Sequence, residues 1–135
     1  MRILLMMMSS IALLFGCATY TPGGVPKEAK TLNVGELRAV FDRAARESLV
    51  FDDGYSGGLR FRFEPDGRLE VRSRFVPLKA IGGRWRLSGE PAQLCTQVER
   101  DPEMCNTVYQ LAGDRYYVDV PTLSAEANTF TLRPR

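Results

Sequence analysis

From Leu59 to Phe75 the chain alternates with period two, and this stretch limits the fold more than any other. Leu59, Phe61 and Phe63 are separated by Arg60 and Arg62, and Leu69, Val71, Ser73 and Phe75 by Glu70, Arg72 and Arg74. Successive side chains on a strand point to opposite faces, so each arm has one apolar and one charged face. Between the arms stands Glu64-Pro65-Asp66-Gly67, with Pro and Gly where a type I turn favours them. The pair therefore reads as an antiparallel hairpin. Its inward residues are Leu59, Phe61, Phe63, Leu69, Val71 and Phe75; Arg60, Arg62 and Arg72 face outward. Pairing Glu64 with Arg68 across the turn sets Arg62 opposite Glu70 and Arg60 opposite Arg72.

A sheet with one apolar face needs a cover. The spacing of Leu37, Val40, Phe41, Ala44, Ala45 and Ser48 predicts one, an amphipathic helix over residues 33–49. Asn33 is a good N-cap, Glu36 completes a capping box, and Leu32 and Leu37 occupy the hydrophobic-staple positions. Further strands are expected over 83–88, 93–98, 105–111, 115–120 and 129–133. They are separated by Gly89-Glu90-Pro91, Arg100-Asp101-Pro102, Ala112-Gly113-Asp114 and Pro121. Trp85 and Leu87 belong to the inward set. Short strands at this spacing suggest an antiparallel meander able to curl into a barrel. The expected class is α+β: one N-terminal helix packed on a curled antiparallel β-meander of six to eight strands.

The first residues address location. Arg2 gives a positive start, Ile3 to Phe15 form a 13-residue apolar run interrupted only by Ser9 and Ser10, and Leu14-Phe15-Gly16-Cys17 closes it. Thirteen residues fall short of the ~20 needed to span a bilayer and suit a removable secretory segment. The closing tetrapeptide resembles the lipobox of bacterial lipoproteins. That resemblance implies cleavage after Gly16 and acylation of Cys17, which would anchor the chain to a membrane. An ordinary cleaved signal beside a chance Cys is the alternative. The expected organisation is a signal peptide over 1–16, a lipidated tether over 17–31 rich in Pro and Gly, and one domain over 32–135. Ala18 follows the Cys where retention in the inner membrane of enteric bacteria uses Asp, which points to the outer membrane. The expected location is the bacterial cell envelope, lipid-anchored and facing the periplasm.

Two cysteines remain, Cys95 and Cys105. In an oxidising compartment an even pair is most simply a disulfide, with Cα atoms ~4.4–6.8 Å apart. Two free or metal-bound thiols are the alternative, although zinc needs more ligands than the Cys and His here supply. The segment Gly83-Arg84-Trp85-Arg86-Leu87, then Leu94-Cys95, then Cys105 resembles a Gly-x-Trp, Leu-Cys, Cys pattern of small secreted bacterial domains. Secreted protease-inhibitor lipoproteins with an eight-stranded barrel look similar, and lipocalins share the Gly-x-Trp alone. The resemblance implies a small β-domain with a Trp plug and one disulfide, and transfers no activity. Trp85 reads either as a packed core residue or as a stacking surface for a ligand.

Chemistry has few candidates. The chain has no His, the commonest general base and metal ligand. A Ser–Lys dyad would draw on Lys27, Lys30 or Lys79, two of them in the tether. Asp52-Asp53-Gly54 is the obvious carboxylate pair, yet adjacent residues point apart, and the tripeptide reads as a loop. No cofactor, metal or nucleic acid is expected; the net charge is only +2. The arginines are the remaining lead, with Arg60, Arg62, Arg72, Arg74, Arg84 and Arg86 as candidate ligand-binding residues. Opposed Arg60 and Arg72 suit an anionic envelope component or an acidic envelope protein; the other reading is a solvated face that resists edge-to-edge association. The expectation is a non-enzymatic protein of binding or envelope-support type, acting through the sheet surface or a barrel mouth. An inhibitor of an exported hydrolase of protease or lysozyme type is the rival, and a small carboxylate-dependent hydrolase the third reading.

Overall fold

The computed structural model describes residues 24–53, 58–73, 80–121 and 127–135. Cys17, Lys79 and the outer ends of the hairpin arm at Arg74 and Phe75 lie outside them. The elements are β1 (Lys30–Thr31), α1 (Val34–Arg46), β2 (Leu49–Asp53), β3 (Leu59–Phe63), β4 (Arg68–Ser73), β5 (Ile81–Gly89), β6 (Ala92–Val98), β7 (Met104–Asn106), β8 (Val108–Gln110), β9 (Arg115–Val118) and β10 (Thr129–Pro134). All ten strands join one antiparallel sheet in the order β1-β8-β9-β10-β2-β3-β4-β5-β6-β7. The sheet curls into a half-barrel with α1 against its concave face. Among the described residues no helix is long and apolar enough to cross a membrane.

The class is α+β with a curled sheet, and the strand count is ten rather than six to eight. Three local features make the difference. The stretch 105–111 breaks at Thr107 into β7, which pairs with β6, and β8, which pairs with β9. Lys30–Thr31, expected in the tether, adds a two-residue strand to the edge of β8, and Pro26 just before it is buried. Residues 49–53 form β2. The helix stops at Arg46, three residues short of the expected end. Ser48 then takes a left-handed φ of 54°, turning the chain so that Leu49 enters the sheet.

The helix start follows its capping pattern. Asn33 Oδ1 accepts from the Glu36 N–H at 2.8 Å, and the Glu36 carboxylate accepts from the Asn33 N–H. Lys30 adds an ion pair at 3.0 Å, and its hydrogen bond, with that from Asn33, holds the Glu36 carboxyl below its usual range. Leu37, Phe41 and Ala44 are buried on the sheet. Phe41 carries the packing: its ring lies 5.0 Å from Trp85 in a stacked arrangement, 4.8 Å from Phe63 edge-on and 5.3 Å from Phe51.

The hairpin has the expected register. Arg60 stands opposite Arg72, Arg62 opposite Glu70 and Phe61 opposite Val71. The turn closes through Gly67 N–H to the Glu64 carbonyl at 3.0 Å and Glu64 N–H to the Arg68 carbonyl at 2.8 Å. Phe63, Leu69 and Val71 are buried; Leu59, Phe61, Trp85 and Leu87 are half-buried against the same core. Gly83 explains its own residue type. A Cβ there would sit 2.3 Å from the Gln97 carbonyl oxygen on β6, so a side chain would push the two strands apart.

Candidate functional site

Trp85 is a core residue. Its indole N–H donates to the Glu64 carbonyl at 2.8 Å and its ring is packed between Phe41 and Phe63. A buried indole wants a partner for its one donor, and the hairpin turn supplies it. The Gly-x-Trp strand therefore locks the hairpin turn and the helix together at one end of the curled sheet.

Cys95 and Cys105 are opposite each other on β6 and β7 and form a disulfide. Their Cα atoms are 4.0 Å apart, closer than the expected window, because they are directly paired neighbours on adjacent strands. Glu103 brings a carboxylate near both sulfurs, the one candidate metal grouping among the described residues, but the sulfurs are committed to each other.

The two aspartates are not in a loop. Asp52 and Asp53 lie in β2 and are 2 % and 7 % exposed. They point apart, as neighbours on a strand must: Asp52 reaches Arg60 at 3.8 Å, and Asp53 accepts from the Leu59 N–H at 3.0 Å. The Arg60 charge and the Leu59 N–H offset part of the cost of that burial.

The arginines divide into two groups. Arg60, Arg62 and Arg72 gather on the convex face around a groove of about 250 Å³, joined by Arg135, Glu70 and Val50. Each of the three has an acid beside it: Asp52 for Arg60, Glu64 for Arg62, Glu70 for Arg72. The Arg72 hydrogen bond, helped by the charges of Arg72, Arg62 and Arg135, holds the Glu70 carboxyl below its usual range against partial burial. Arg84 and Arg86 lie elsewhere, in a shallow groove with Arg68, Asp66 and Glu103. There Glu103 is held ionised by its hydrogen bond from Arg86, and Asp66 by the Arg68 backbone and side chain. A glycosidase acid must store a proton at neutral pH, and these two carboxyls are shifted the other way.

The inner side of the sheet holds a feature that the sequence did not announce. Beyond Phe41 the curled strands enclose an apolar cavity of about 170 Å³. Buried Phe41, Phe51 and Phe63 form its floor, and Leu94, Val108 and Tyr116 its lower wall. Half-buried Phe61, Val118, Val120 and Phe130 lead outward to Met104, which is 50 % exposed at the rim. Polar groups are few: Thr96 and Asn106, both half-buried, and Tyr116, whose phenol is pushed up in pKa by burial. The Tyr116 hydroxyl also feels the charges of Arg43 and Asp114 beside the end of α1. Period two told which residues face inward. It carried no signal for unfilled space, which depends on where the helix lies along the curl.

No protein-family model, curated protein or solved structure matches this chain.

Proposed function

We propose that this chain is a lipid-anchored, non-enzymatic binding protein of the bacterial cell envelope, which receives an apolar ligand at the mouth of its curled sheet. The carrying observation is the apolar cavity on the inner side of the sheet, which the helix borders at Phe41 and does not fill. Interior volume lined almost wholly by carbon, with a half-exposed rim, is the usual form of a small-molecule site. The lipobox-like Leu14-Phe15-Gly16-Cys17 supports the anchor and hence the envelope location. The ionised state of Asp66 and Glu103 and the opposed directions of Asp52 and Asp53 weigh against the hydrolase reading.

Two measurements test the proposal. Native mass spectrometry of the protein released gently from membranes should find a bound small molecule, which the cavity-filling variant Val118→Trp lacks. Equal occupancy of both proteins would end the cavity reading. Cys17→Ser should move the protein out of the membrane fraction; processed variant recovered there at the wild-type level would end the anchor.

A second reading keeps the convex arginine groove as an anion site. Arg60 directly opposite Arg72, with Arg62 and Arg135 around the same groove, favours it. The ion pairs to Asp52, Glu64 and Glu70 leave only a small positive surplus there. Binding to anionic vesicles that falls with salt and is lost in Arg60→Gln/Arg72→Gln/Arg74→Gln would establish it, since exposed charges are screened within ~8 Å at physiological ionic strength. No co-sedimentation at low salt would leave the groove as a solvated face.

A further inference from the structure

We infer that the cavity takes one linear alkyl chain, inserted end-on with its polar head left at the rim. The inference rests on the cavity being the ligand site and adds what fills it. Volume sets the length. An apolar protein cavity of ~150 Å³ stays dry and admits benzene, so about 170 Å³ has room for roughly six carbons.

The walls set the shape. Phe51 and Phe63 cross at 88°, Phe51 and Tyr116 at 70°, and Phe61 and Phe130 at 85°. A flat ring stacks best in a slot between near-parallel faces. Rings crossed at right angles leave a channel whose sides alternate between edge and face, and a methylene chain fits such a channel without matching any one plane. The floor sets the chemistry. Phe41, Phe51 and Phe63 offer no hydrogen-bonding group, so a polar atom driven to the bottom would be left unpartnered. Thr96 is half-buried and stands opposite the rim residue Met104, where a carboxyl or hydroxyl head would meet it and water together; Asn106, also half-buried, is its neighbour on the next strand.

Titration calorimetry with straight-chain carboxylates of four to twelve carbons tests this on the full chain carrying Cys17→Ser, so that no acyl group of its own competes. Trp85 fluorescence gives a second readout, because the indole stacks on the Phe41 floor. Affinity should rise about fourfold per added methylene and level off once about six carbons are buried. Val118→Trp should weaken hexanoate and octanoate at least tenfold with the melting temperature kept. If that variant does not fold, Val120→Phe serves the same purpose nearer the rim. An affinity that does not depend on chain length would overturn the inference. So would toluene or benzoate binding more tightly than the alkyl series, although that result would keep the cavity as a ligand site. Binding of neither class would overturn both readings.

Discussion

The two ends of the curled sheet are built from the same alternating strands and finish differently. At one end α1 lies across the concave face, and Phe41, Phe51, Phe63 and Trp85 meet within 5.5 Å of one another, centroid to centroid, wherever they touch. Toward the other, Phe61, Val118, Val120 and Phe130 point inward just as regularly and enclose empty volume. A 13-residue helix is only about 20 Å long, so it covers part of the curl. One apolar pattern thus makes a core where it is covered and a site where it is not. The uncovered part has its own fastening: the Cys95–Cys105 bond ties β7, at the end of the strand order, to β6.

The largest contrast should appear between Phe41→Ala and Phe130→Ala. The first empties the close-packed end and should cost about 3–5 kcal/mol in chemical denaturation. The second trims a half-buried ring beside existing space and should cost less than half as much. Equal losses would mean that the two ends are packed alike. Next comes the disulfide. Replacing both Cys95 and Cys105 by Ala opens a loop of about 11 residues and should cost about 3 kcal/mol in the chain-entropy model. Because that loop borders the cavity, hydrogen exchange should rise first at β7. A uniform rise through β3 and β4 would show that the two ends are not separable.

Gly83→Ala addresses the closed end through the backbone. Its new methyl meets the Gln97 carbonyl, so a loss of about 2 kcal/mol is expected, within the range for overpacking. A neutral outcome would show that β5 and β6 have slack beside Trp85. The smallest effect concerns acid. Glu36 and Glu70 have folded-state pKa values lowered from 4.5, so their contribution is present above that pH and is lost as pH falls through the lower folded values. Stability should decline on acidification below about pH 4.5, and Glu36→Gln/Glu70→Gln should flatten that part of the profile. An unchanged slope would assign the acid response to other carboxylates.

The hairpin was legible as far as Ser73, down to Arg60 opposite Arg72, because a turn with Pro and Gly fixes register and period two fixes the faces. The helix start was legible because Asn33 and Glu36 form a local pattern. Its end was not: Ser48 adopts a conformation usually left to Gly or Asn, and nothing in Glu47-Ser48 announces it. Asp52 and Asp53 hid β2, since paired acids before Gly normally mark a loop; partners such as Arg60 and the Leu59 N–H, which help to make them acceptable inside, are brought in by folding. The break at Thr107 has no Gly or Pro to show it. Among the described residues the arginine candidates were legible as a face but not as two separate clusters, because Arg84 and Arg86, on β5, lie two strands away from Arg60 on β3. The cavity is the least legible feature, being a difference between the length of a helix and the length of a curl.

β10 lies between β9 and β2, so Leu132 pairs with Phe51 some eighty positions earlier in the chain. Until Thr129–Pro134 arrives, β2 lacks one neighbour and β1–β8–β9 have no hydrogen-bonded link to the other strands of the sheet. Contacts this distant in sequence are slow to form. Topology here sets an order of events: strands made early wait as separate parts of the sheet until one made late joins them.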